Sequence, residues 1–127
     1  MNRINLSSER TTLSVRLEDA NGLPVLVLEG ELDLATAPQF AAAMEPFSRG
    51  ATVVVDLCEL DFMDSSGVRE LMRGEAVLGE GLRVVCGSGG PVRRLFELAS
   101  VDSVLSVYSS RAEAVRAGAR VRHQPAV

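Results

Sequence analysis

Asp64, Ser65 and Ser66 stand together where an apolar strand gives way to an amphipathic helix. In α/β chains, functional sites gather at such strand ends. The first N–H groups of a helix lack intrahelical partners, and Ser or Asp can cap them. The trio therefore has two readings. It caps the helix and does nothing else, or it displays a serine hydroxyl on a rigid helix start, ready to be modified. A phosphate there adds roughly −1.5 to −2 charge beside N–H groups that favour anions, so the fold should survive it. The surface would change instead. A partner expecting a neutral hydroxyl beside Asp64 would meet repulsion and a desolvation cost.

Other chemistries fit these residues poorly. A Gly-x-Ser-x-Gly elbow is absent, and the single His123 lies in a polar stretch without ligand neighbours. All 13 basic residues are Arg, which removes Schiff-base, Ser-Lys and P-loop lysine chemistry. Gly87-Ser88-Gly89-Gly90-Pro91 reads as a strand-to-helix turn, with a nucleotide contact as the lesser alternative. Asp56, Glu59, Asp61 and Asp64 form either a solvated acidic rim or a hard-metal site. Asp56 at a strand end invites comparison with phosphoacceptor receiver domains, but the later strand-end Lys of that pattern does not exist here. Cys58 and Cys86 form no CxxC pair and read as two buried free thiols in a reducing compartment. No catalytic residue, metal ligand or cofactor is assigned.

Size and charge agree with a binding protein. A chain of 127 residues allows one domain. Apolar residues are 46% and charged residues 24%, which excludes a disordered chain. The net charge is −4 and no basic cluster exceeds Arg93-Arg94, so a nucleic-acid footprint is missing. Apolar runs reach about five residues, against the ~20 of a membrane-spanning helix. With no signal peptide visible, the expected compartment is the cytoplasm.

The elements that must position the serine follow from hydrophobic periodicity. Residues 1–11 read as a flexible tail. Leu13, Val15 and Leu17 alternate with polar residues as a half-buried strand, and Val25-Leu26-Val27-Leu28 is a more deeply buried one. Asn21-Gly22 joins them as a hairpin. Gly30 to Leu34 reads as a loop. Thr36 and Gln39 suit a capping box and Pro38 a first helical turn, for a helix bearing Phe40, Ala43, Met44 and Phe47 and ending at Arg49-Gly50. Val53-Val54-Val55 is a buried parallel-type strand. Val68, Leu71, Met72 and Ala76 mark the helix after the serines. Leu82 to Cys86 is a strand, and Val92, Leu95, Phe96 and Ala99 mark a helix. Val104 to Val107 is a last strand, and Ser109 or Ser110 caps a final helix to about Ala117. The fold class is α/β: a mixed, largely parallel sheet of four to five strands with about four helices in the order β-β-α-β-α-β-α-β-α, spanning residues 12–117, with a tail over 118–127.

Several segments together resemble a known family. Glu29-Gly30-Glu31-Leu32-Asp33, Val53-Val54-Val55-Asp56-Leu57, Phe62-Met63-Asp64-Ser65-Ser66-Gly67-Val68, Arg83-Val84-Val85-Cys86 and Val92-Arg93-Arg94-Leu95-Phe96-Glu97-Leu98 resemble the STAS domain, in its stand-alone bacterial branch of anti-sigma-factor antagonists. The resemblance implies a phosphoprotein switch and not an enzyme. In its unphosphorylated form it would bind an anti-sigma factor that is also a serine kinase of the histidine-kinase-like ATPase fold, freeing a sigma factor for transcription. The kinase would phosphorylate Ser65, ending the binding, and a metal-dependent serine phosphatase would restore it. The partner surface would comprise Glu31, Asp33, Asp64, Ser65, Ser66, Gly67 and Arg69. Asp33 is equally suited to capping the following helix, and Ser66 to the first helical turn. Gly67, lacking a side chain, would let a partner backbone approach closely. Arg69-Glu70 departs from the small or apolar residues of many members, and Arg69 could alter partner choice or pair with a phosphate. The alternative is a STAS scaffold or accessory subunit of a signalling or transport assembly, never phosphorylated.

Overall fold

Asn21 and Gly22 both adopt positive φ, 53° and 89°, as a two-residue hairpin turn between right-twisted strands demands. They join β1 (Leu13–Ala20) to β2 (Leu23–Leu32) as an antiparallel pair. The structure is a computed structural model describing residues 12–123, so the tail expected over 1–11 lies outside the described residues. The chain continues through α1 (Ala37–Met44), β3 (Val53–Met63), α2 (Ser65–Leu78), β4 (Leu82–Val85), α3 (Pro91–Ala99), β5 (Ser106–Tyr108) and α4 (Arg111–His123). This is the element order expected from the periodicity. The sheet runs β1-β2-β3-β4-β5, with every pair after the hairpin parallel.

That order dictates the layers. β2, β3, β4 and β5 are neighbours in sequence and in space, so three crossovers progress in one direction. Parallel crossovers share one hand, which places α1, α2 and α3 on the same face. Phe40, Leu71, Leu78, Val92 and Phe96 bury there against Leu26, Leu28, Val55 and Val84. Among the described residues no strand follows α4, and it covers the other face, where Ala114 packs with Val25, Val27, Val54 and Val85.

Several boundaries differ from the periodicity. β2 does not end before Gly30. It runs to Leu32 because Gly30, at φ 108°, lets the strand shift register against β3 while Glu31 N–H still donates to Thr12 O at 2.9 Å. α1 stops at Met44, since Pro46 has no N–H to offer the Ala42 carbonyl; Glu45 N–H takes that place at 3.3 Å. Phe47 still packs on the core. A 3₁₀ turn at Val101–Ser103 delays β5 to Ser106. α4 continues past Ala117 to His123 instead of yielding to a tail at 118. Leu17, Ala76 and Ala99 are exposed, not buried. Cys86 is buried as expected, but Cys58 is exposed; both thiols are free.

Asp56 is not part of a solvated rim. It is only 7% exposed, and its Oδ2 accepts from Arg111 Nη2 at 2.9 Å and Nε at 3.2 Å. Arg111 Nη1 donates to Glu18 Oε1 at 2.9 Å, and Arg16 Nε donates to Glu18 Oε2 at 2.8 Å. This chain of charges ties the start of α4 to β1 and β3. Among the described residues no cluster of three or more His, Cys, Asp or Glu side chains could hold a metal.

Arg111→Gln leaves the Asp56 carboxylate buried without its cation and should lower the unfolding free energy by about 1–3 kcal/mol, read by urea denaturation. Hydrogen bonds from Arg16, then from Arg111, hold the Glu18 carboxyl below its ordinary value. Its contribution to stability is therefore present above the ordinary carboxylate range and lost as pH falls through the depressed value. Glu18→Gln should lower the melting midpoint slightly at neutral pH, and the gap to the natural chain should close in acid.

Candidate functional site

β2 and β3 outrun the rest of the sheet. β4 pairs with β3 only from Val53 to Asp56, whereas β2 follows β3 as far as Met63. Asp64 N–H donates to Leu32 O at 3.2 Å, beyond the last strand pair. The chain then turns directly into α2, so the helix begins at the tip of this two-strand extension.

Asp64 is the N-cap. Its backbone is extended, and its Oδ1 accepts from Ser66 N–H at 2.8 Å. The reading of a capping residue is thus correct for Asp64. Ser65 is the first residue of α2, with an exposed side chain, while Ser66 turns inward and is buried. The two serines are therefore inequivalent: one hydroxyl is presented and the other is packed.

Gly67 does not serve a partner's close approach. It is buried, and a Cβ at this position would lie 2.7 Å from Met63 Cγ and 2.9 Å from Leu32 Cδ2. The missing side chain admits the helix to the ends of its own strands.

Asp33 and Glu31 have structural duties. Asp33 Oδ1 accepts from Ala35 N–H at 3.0 Å and Thr36 N–H at 3.1 Å, which closes the turn before α1 and does not cap the helix itself. Thr36 does not form the expected capping box. Its Oγ1 accepts from Asp33 N–H at 2.9 Å and donates to Glu31 O at 2.8 Å, and Gln39 Nε2 donates to Leu13 O at 2.7 Å. Glu31 Oε1 accepts from Thr12 N–H at 3.2 Å. Both acidic residues are half-buried at the edge that carries Ser65. Arg69 is exposed one turn along α2.

Two apolar side chains near Ser65 were not foreseen. Leu34 is 71% exposed and Phe62 is 47% exposed. Strand alternation carried the signal for Phe62, because buried Met63 puts its neighbour on the opposite side. Leu34 also borders a cavity of about 380 Å³ between α1 and α2, shared with Ala37, Ala41, Ser66 and Arg69. Glu45, Glu70 and Arg73 line it too, so apolar and charged side chains share the groove. At the exposed Cys58, desolvation by the neighbouring protein and the Asp56 carboxylate push the thiol up to about 11, which disfavours the thiolate at neutral pH.

The family model described as "Mlab, STAS domain" matches residues 15–107. The chain belongs to the STAS domain family. This STAS domain is 29% identical over 107 residues to the anti-sigma-F factor antagonist RsfB of Mycobacterium tuberculosis, covering 82% of this chain and 88% of the relative. It is 28% identical over 108 residues to the anti-sigma F factor antagonist of Paenibacillus polymyxa, covering 81% and 92%. The crystal structure of an anti-sigma factor antagonist from Mycobacterium paratuberculosis superposes with a TM-score of 0.74 at 27% identity, over 84% of this chain and 93% of that one. These names describe antagonists of regulatory proteins, not catalysts. Among the described residues no helix is long and apolar enough to cross a membrane.

Gly67→Ala should lower the unfolding free energy of this STAS domain by about 1–3 kcal/mol through overpacking against Leu32 and Met63. Asp64→Ala should cost about 1 kcal/mol through loss of the cap. Urea denaturation followed by circular dichroism measures both.

Proposed function

We propose that this chain is an anti-sigma factor antagonist acting as a phosphorylation-controlled switch in the cytoplasm. The observation that carries the reading is the exposed Ser65 hydroxyl at the first position of α2, set at the tip of the β2–β3 extension with Asp64 fixed beside it. Its unphosphorylated form binds an anti-sigma factor and frees a sigma factor. Ser65 forms the centre of the docking face. Glu31, Asp33, Asp64 and Arg69 surround it, and Leu34 and Phe62 supply apolar contact area. Ser66 and Gly67 shape the face from within. The names of the relatives support the antagonist role.

The anti-sigma factor is a serine kinase of the histidine-kinase-like ATPase fold and transfers the γ-phosphoryl group of ATP to Ser65 Oγ. A serine phosphatase reverses the modification. The phosphate stands at the start of α2, where the helix dipole favours an anion, so the fold persists. At the docking face the same group puts a dianion beside Asp64, where the partner had met an alcohol. A 10²–10³-fold loss of affinity requires roughly 3–4 kcal/mol, within reach of a poorly paired phosphate at an interface.

Intact-mass measurement after incubation with the co-encoded ATPase-kinase and ATP should show one added phosphate on the natural chain and none on Ser65→Ala. Ser65→Ala should fold normally and bind the anti-sigma factor constitutively, and Ser65→Asp should weaken binding, both by calorimetry. A native-like Ser65→Ala that fails to bind refutes the docking role. Absence of phosphate gain with every co-encoded kinase favours an unphosphorylated scaffold.

A further inference from the structure

Arg69 stands four residues after Ser65 on α2, and positions i and i+4 of a helix are neighbours, with Cβ atoms about 5–6 Å apart. Helical side chains lean toward the N-terminus, so a long side chain at 69 extends over the turn that begins at 65. Arg69 is exposed, and among the described residues it pairs with no carboxylate. The acid that could compete for it next along the helix, Glu70, is taken by Arg73 at 3.4 Å. Asp64 Oδ1 is committed to Ser66 N–H, and Asp33 Oδ1 to the loop before α1. One guanidinium is thus left one turn from the modifiable hydroxyl, and Glu45, the acid across the groove, forms no ion pair with it among the described residues.

We infer that Arg69 is an intramolecular clamp for a phosphate on Ser65, a role that rests on the phosphorylation proposed above. A guanidinium presents its N–H groups as a planar fork that matches two phosphate oxygens. The pair would turn the modified serine along α2 toward the α1–α2 groove, which Arg69 and Ser66 both border. Phosphorylation would then act twice on the docking face. It adds negative charge, and it withdraws Arg69 from the partner. Around the phosphate, Asp64, Asp33 and Glu31 oppose it at the strand ends, Glu45 and Glu70 oppose it along the groove, and Arg69 is the cation one turn away.

The test uses the full chain with phosphoserine installed at position 65 during synthesis, so that neither kinase nor partner is needed. Phosphorus NMR follows the second ionisation of the phosphate against pH. Its midpoint should lie lower in the natural chain than in Arg69→Gln by about half a pH unit, a roughly threefold change in proton affinity. Arg69→Lys should recover part of the difference, because it keeps the charge and loses the fork. The unphosphorylated variants should melt together, as expected for an exposed residue. Superimposable titrations of the natural chain and Arg69→Gln overturn the clamp, even if the phosphate still abolishes partner binding. The split midpoints with undiminished partner binding support the clamp and retire the switch.

Discussion

The candidate site depends on α2 beginning in van der Waals contact with the ends of two strands. Gly67 makes that contact possible, because any side chain at this position would run into Leu32 and Met63. The hydrogen bond from Asp64 N–H to Leu32 O then fixes the turn between strand and helix. With the helix start seated this deeply, its second residue is buried and its first must face outward. The presentation of Ser65 is thus a by-product of close packing one turn below it. Loops gain such positional precision less readily, since few contacts oppose their motion.

The two faces of the sheet solve different problems. One face is covered by three crossover helices whose side follows from strand order and handedness. The other is covered by α4, after which no strand follows among the described residues. Arg111 joins the start of α4 to Asp56 in the middle of β3 and to Glu18 in β1. A largely apolar contact around Ala114 and a charge chain at its rim hold the helix together.

Much of this was legible in the chain itself. Continuous apolar runs and helical stripes gave the element order, because both sheet faces are buried and strands of that kind have an unmistakable composition. The pairing of a strand end with Asp64-Ser65-Ser66 located the capped start of α2 and its exposed serine. Boundaries were less readable. Gly30 looks like a strand terminator, yet its positive φ serves a register shift that keeps β2 going for two more residues. Gly67 was assigned to a partner's approach, whereas its reason lies inside the fold and depends on Leu32, thirty-five residues earlier. Asp56 and Arg111 are likewise far apart in sequence, and no local pattern announces an ion pair between them. Leu34 and Phe62 were passed over because exposed apolar residues acquire meaning only when their neighbours are known.

The hairpin raises one last point. β1 is an eight-residue strand whose outer side pairs with no strand among the described residues, while β5, at the opposite border, has only three residues. Open strand edges invite another chain to add itself through its backbone. On β1, Arg16 reaches across the sheet to Glu59 and Glu29 as well as to Glu18. These ion pairs run inward over β2 and β3, so the charges of this strand brace the hairpin on the sheet and leave its outer backbone edge to water.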